Sequence, residues 1–153
     1  MEAKLLHQVL QNTKLRLKAE YQWDDEFIDG AVDEYYKFLV LTTTFPNITI
    51  VPGKVVDKVW HDHILHTKEY TNFCKKYLSG YLHHTPKDIS SNDEIKFEDT
   101  EAKYVELFGR KPPRKYWYDD VNPPHIEKRC ITCPAKSNEN ITKTTFSCCR
   151  CGS

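Results

Sequence analysis

No apolar run in the chain approaches the 18 or more residues that cross a bilayer, and no membrane contact is expected. The charged, amphipathic start, Met1-Glu2-Ala3-Lys4-Leu5-Leu6-His7, lacks the apolar core of a secretory leader. An intracellular, reducing setting is therefore expected, in which six cysteines read as metal ligands or thiols before disulfides. The same setting makes the sequons Asn47-Ile48-Thr49 and Asn140-Ile141-Thr142 accidental matches. Internal repeats and low-complexity tracts are absent, glycine is scarce at five residues, and net charge is zero. What remains is 39% hydrophobic and 29% charged over 153 residues, enough for one domain with a core and a small appendage.

The charge is unevenly spread. From Arg110 onward nine basic residues face four acids, leaving +5 there and −5 in the rest of the chain. A basic end can touch nucleic acid or an acidic partner, although at this density ordinary solvated charge also accounts for it.

Apolar residues recur at helical spacing through most of the first 108 positions. Leu5, Leu6, Val9, Leu10, Leu15 and Leu17 predict one amphipathic helix over residues 2–20. Asp24-Asp25 is an N-cap with acids in the first turn of a second helix. Phe27, Ile28, Ala31, Val32, Tyr35, Tyr36, Phe38, Leu39 and Leu41 give that helix the widest apolar face, and Thr42-Thr43-Thr44 with Pro46 stops it. After a short extended Ile48–Val51 segment and the Pro52-Gly53 turn, a third helix is expected from about Lys54 to Leu78, closed by Gly80 at C′. Tyr81-Leu82-His83-His84-Thr85-Pro86 leaves it as a non-helical strap. Ser90, Ser91 or Asn92 caps a fourth helix carrying Ile95, Phe97, Tyr104, Val105, Leu107 and Phe108 and ended by Gly109. Pro112-Pro113, Trp117 and Pro123-Pro124 mark an irregular arm. The expected fold is all-α: a bundle of about four helices over residues 1–125, then a cysteine-rich tail over 126–153.

The third helix concentrates chemistry. Between Val55 and Cys74 lie three of the seven histidines, one of the six cysteines and one of the three tryptophans. In a continuous helix His63, His66, Thr67, Tyr70 and Cys74 share a stripe, while Asp57 and His61 share another face. His61 and His63 stand about 200° apart around the axis. No glutamate sits beside them as in the His-Glu-x-x-His zincin pattern, so the hydrolase reading loses its main support. Three readings stay open. His63 and Cys74, with His66 or the strap histidines His83 and His84, form a zinc site. Alternatively, the histidines are buried groups hydrogen-bonded to Asp57, Tyr70 and backbone carbonyls, tying strap to helix. The third is a catalytic Cys74–His pair, which Cys74 suits poorly because it lies far from a helix N-terminus.

The tail spaces its cysteines as Cys130-x2-Cys133, fourteen residues, then Cys148-x2-Cys151. Four thiolates so arranged suit a tetrahedral zinc ribbon, with Ile141–Phe146 as a strand between the knuckles and metal supplying most of the folding energy. Cys149 is surplus: it substitutes for Cys148 or stays a free thiol, and in an oxidising particle or extracellular setting the same cysteines pair as disulfides instead.

Tyr35-Tyr36-Lys37-Phe38-Leu39, Pro52, Val56-Asp57-x-x-Trp60-His61-x-His63-Ile64-Leu65-x-Thr67-x-x-Tyr70-x-x-Phe73-Cys74 and Gly80-x-Leu82-His83-His84-x-Pro86 together resemble the glycine-rich domain-containing protein family. Phe108-Gly109-x-x-Pro112-Pro113-x-x-x-Trp117 is similar to the stretch that closes that domain. The resemblance covers residues 27–118 and implies motif positions at Asp57, Trp60, His61, His63, Tyr70, Cys74 and His84. It implies no defined activity. The chain departs from the family in ending on cysteines rather than on a glycine-rich tail.

The expected function is a non-enzymatic, metal-binding structural or protein-interaction module, a component of a larger assembly such as a virus particle. Zn2+ is its expected cofactor, at Cys130, Cys133, Cys148 and Cys151 and, secondarily, at His61, His63, Cys74 and His84. The expected partner is a protein, with Tyr116, Trp117 and Tyr118 beside Arg114 and Lys115 as an aromatic, basic contact patch or, equally, a packing arm. Two other functions compete: a metal-dependent enzyme using the region of His61, His63 and His84, and a nucleic-acid-binding accessory protein acting through the basic tail.

Overall fold

The structure, a computed structural model, describes residues 3–78, 80–84 and 97–118. The cysteine tail with Cys130, Cys133, Cys148 and Cys151, the 125/126 boundary, the caps at Ser90–Asn92 and the Pro123-Pro124 pair lie outside the described residues. Within them the fold is all-α, with seven helices and no strand. None of these helices is long and apolar enough to cross a membrane.

Helix α3 (Asp25–Thr44) is the axis of the bundle. Asp24 caps it, its carboxylate accepting from the Phe27 N–H at 2.7 Å, with Asp25 and Glu26 in the first turn. At the far end Thr42 and Thr43 turn their hydroxyls back onto the Leu39 carbonyl at 2.9 Å. The expected face is buried, from Phe27 and Ile28 through Ala31, Val32, Tyr35, Phe38 and Leu39 to Leu41. It packs against α4 (Lys54–Leu65) and also touches α1 (Ala3–Val9), α2 (Gln11–Tyr21) and α6 (Phe97–Phe108).

Where one helix was expected over residues 2–20, there are two, divided at Leu10 (φ −90°, ψ 23°). The backbone bonds Leu10 N–H to Leu6 O and Lys14 N–H to Leu10 O bridge the bend. The buried stripe is Leu6, Leu10, Thr13 and Leu17, a run of four- and three-residue steps. Leu15 falls off it and is 67% exposed. His7 and Lys14 anchor this bent pair of helices to α3 through Asp33 and Asp29 (2.9 and 2.7 Å).

The expected helix over 54–78 is also divided, at His66 (φ −84°, ψ 62°), into α4 and α5 (Thr67–Tyr77). The cause is tertiary. In one straight helix Trp60 and Tyr70 would stand about 15 Å apart along the axis. Here the Trp60 indole N–H donates to the Tyr70 hydroxyl at 3.0 Å, and the His63 ring meets those of Tyr70 and Phe73 at 4.9 and 5.0 Å. Burying Tyr70 and Phe73 beneath α4 requires the chain to turn between them. Nor does Gly80 close α5. Its cap is Leu78 in extended conformation (φ −114°, ψ 156°), and the one left-handed glycine among the described residues is Gly109 (φ 70°), which ends α6 as expected.

The arm after Gly109 contains α7 (Arg114–Trp117), a single helical turn packed on α4. Tyr116 and Trp117 are buried, so they belong to the core and not to an aromatic contact patch. Tyr104 faces inward as expected and Thr100 joins it, whereas Val105 and Leu107, expected on the same apolar side of α6, are each 38% exposed.

A buried carboxylate fastens the arm. Glu34 on α3 accepts from Trp117 Nε1 and Tyr104 Oη, both at 2.8 Å, and from Lys37 Nζ at 2.6 Å. Tyr104 is pushed well above its usual range by burial, and by Glu34 as hydrogen-bond partner and charge. Gly53, the N-cap of α4, lies so close to the arm that a Cβ there would come within 2.2 Å of Trp117 Cα.

Two stability predictions follow from the arm. Glu34→Ala should destabilise the fold by roughly 3 kcal/mol, since it strands two buried donors and an amine, with Glu34→Gln losing less. Gly53→Ala should cost about 2 kcal/mol by forcing backbone away from backbone. Urea denaturation of purified protein measures both, and midpoints equal to wild type would refute the clasp and the close approach respectively.

Candidate functional site

Helix α4 presents its chemistry on two sides. Val55, Val56, Val59, Asp62 and His63 face the bundle, while Asp57 and His61 face outward, with Trp60 between.

On the inner side His63 is fully buried. Its Nδ1 shares a hydrogen bond with the Tyr35 hydroxyl at 3.1 Å, and the rings of Tyr35, Tyr70 and Phe73 surround it edge-on. Its Nε2 has no protein partner among the described residues. Burial, with a smaller contribution from nearby His66, pushes the imidazole down to about 4, so it is neutral at pH 7. Burial likewise raises Tyr35 and Tyr70 far above the ordinary phenol value. Cys74 is a buried free thiol near the C-terminal end of α5, enclosed and away from any helix N-terminus, which favours neither nucleophilic attack nor access for a substrate. Asp62 is also buried, paired through Oδ1 with Arg16 Nε of α2 at 2.9 Å.

On the outer side the strap returns across α4. Tyr70 donates its hydroxyl proton to the Leu82 carbonyl while accepting from Trp60, so one phenol ties α5, α4 and the strap together. His84 hydrogen-bonds Asp57 Oδ1 through Nε2 at 2.9 Å and lies against the Trp60 ring at 4.6 Å. Its ring centre is 6.0 Å from that of exposed His61. Of the two strap histidines, His84 turns inward and His83 stays exposed against Tyr81.

The four residues expected to share a metal are thus parted: His63 and Cys74 lie inside the bundle, His61 and His84 on its surface. Among the described residues no three His, Cys, Asp or Glu side chains converge, as they stand, on a point that would hold an ion. The hydrogen-bonded reading of the histidines describes His84 with Asp57 and Tyr70 with the strap carbonyl. It missed Tyr35 as the partner of His63, and it missed Glu34. A signal for Glu34 was present: 27, 31, 34, 38 and 41 form one stripe of α3, and an acid stands in the middle of it.

The neutrality of His63 sets a pH dependence. The unfolded imidazole takes up a proton near pH 6.5, but the buried one resists until about 4. Stability is therefore complete above pH 6.5 and falls as pH drops toward 4, by on the order of 3 kcal/mol from this residue. Urea midpoints taken between pH 7 and pH 4.5 should fall more steeply in wild type than in His63→Gln. Parallel slopes would contradict the assignment.

Comparison with known proteins agrees with this geometry in extent. The chain is 33% identical over 102 residues to Glycine-rich domain-containing protein 2 of Arabidopsis thaliana, a stretch covering 61% of this chain and 12% of that protein. The chain therefore spans only about an eighth of that relative. No solved structure matches it. The family model described as UCP032817-like matches residues 4–103, from the first helix through the strap and into α6, and the chain belongs to that family.

Proposed function

We propose that the chain is a non-enzymatic structural or protein-interaction module: a rigid helical domain that presents a zinc-binding cysteine tail within a larger assembly. One observation carries the first half of this reading. His63, at the centre of the segment richest in potential ligands, is fully buried and engaged with Tyr35. That segment spends much of its chemistry on holding α3, α4, α5 and the strap together rather than on an enclosed site for a substrate. The second half rests on spacing alone, the two C-x2-C pairs formed by Cys130, Cys133, Cys148 and Cys151. The partner is proposed to be a protein, and the excess of basic over acidic residues from Arg110 onward, nine against four, favours one with an acidic surface.

Metal analysis tests the proposal. The 153-residue chain purified without chelator should lose one equivalent of its zinc on Cys130→Ser, with the thermal midpoint of the helical domain unchanged. Absence of any cysteine-dependent zinc would refute the tail assignment. A metal equivalent lost in His63→Gln, together with a turnover activity, would replace this reading with that of a metal-dependent enzyme. A salt titration of nucleic-acid binding separates the remaining alternative: a steep fall of log affinity with log salt would favour a nucleic-acid accessory role.

A further inference from the structure

The outer face of α4 gathers three potential donors near solvent, two of them already bonded to each other. Asp57 and His61 are one helical turn apart on the same side of α4, and the strap lays His84 across them. His84 Nε2 and Asp57 Oδ1 stand 2.9 Å apart. They make an ordinary hydrogen bond at that distance, but it is also the spacing of two neighbouring ligands on one ion. Donors bound at about 2.0–2.2 Å with angles near 90–110° lie roughly 3 Å from each other. The His61 and His84 ring centres lie 6.0 Å apart, wider than the roughly 5.2 Å of two imidazoles on one tetrahedral ion, so His61 has to swing inward to join the pair. His61 is exposed, so its side chain can turn toward the other two without breaking the core. His84 is held by the Trp60 ring, and the strap that carries it is pinned by the Tyr70–Leu82 hydrogen bond. The inner residues cannot join this set, because His63 and Cys74 lie on the far side of Trp60 within the bundle.

We propose that Asp57, His61 and His84 form a surface site for a divalent first-row transition-metal ion. Two imidazoles and one carboxylate on one face, open to solvent on the other, are a donor set suited to Zn2+, with the remaining coordination positions left to water or to a side chain of a partner. Binding replaces the hydrogen bond between His84 and Asp57 by the ion: the imidazole proton sits on Nδ1, Nε2 is left as a ligand, and His61 swings onto the third position. The ion would lock the strap to α4 and depends on none of the tail cysteines.

The test uses the 153-residue chain bearing Cys130→Ser, Cys133→Ser, Cys148→Ser, Cys149→Ser and Cys151→Ser, stripped with chelator and titrated with Zn2+ alone by calorimetry. One equivalent should bind, and both His61→Ala and His84→Ala should weaken it at least tenfold. Trp60 emission should change on Zn2+ addition in this background and not in His84→Ala. Because His61 is exposed, His61→Ala should keep the circular dichroism spectrum and thermal midpoint of its parent. Zinc affinity unchanged in a folded His61→Ala, or no zinc bound at all, would overturn the proposal. The tail reading is judged separately, by zinc that Cys130→Ser removes in the otherwise unaltered chain.

Discussion

The seam between α3 and α4 is held by a contact that neither helix makes alone: the Tyr35 hydroxyl against the His63 imidazole, both fully buried. A polar pair in such a place costs free energy unless each group meets the other, so it prescribes the relative register of the two helices. The surrounding elements then fit around it. Tyr70 and Phe73 come under α4 to cover the His63 ring, which breaks the chain at His66 and aims α5 back along the bundle. Once Tyr70 is there, its hydroxyl reaches Trp60 on one side and the strap carbonyl on the other. The strap in turn brings His84 to Asp57.

A second buried polar group does comparable work at the other end. Glu34 gathers Lys37, Tyr104 and Trp117, and so joins α3 to α6 and α7 through donors 70 and 83 residues away in sequence. Such a carboxylate is tolerated in a core only because every oxygen is engaged. Apolar contacts are non-directional and by themselves discriminate weakly between alternative packing arrangements. Specific polar contacts of this kind select one of them.

The same reasoning separates structure from chemistry on α4. Groups facing the bundle are enclosed: His63 is neutral, Cys74 buried, Asp62 paired with Arg16. Groups facing the strap keep access to solvent: Asp57 and His84 bond each other there, and His61 is exposed beside them. Ligand density along the segment therefore reflects two populations with different duties, interleaved because a helix alternates its faces every few residues.

Much of this was legible in the residues themselves. The Asp24 cap, the wide apolar face of α3, its stop after the threonines and the Gly109 end of α6 follow from local rules of capping, periodicity and left-handed backbone that act within a few residues. The divergence of His61 from His63 follows equally from helix geometry. Local rules did not locate the breaks at Leu10 and His66, the burial of Tyr116 and Trp117, or the partners of His63 and Glu34. Each of these is decided by a contact with a residue far along the chain. Helical periodicity continues through a bend that costs little locally, and only the packing of Tyr70 beneath Trp60 makes that bend worthwhile. Sequence by itself determined where the longer helices form and most of the apolar face of each; tertiary structure decided where they turn and which polar groups they enclose, because a buried donor or acceptor is satisfied only by the neighbour the whole fold supplies.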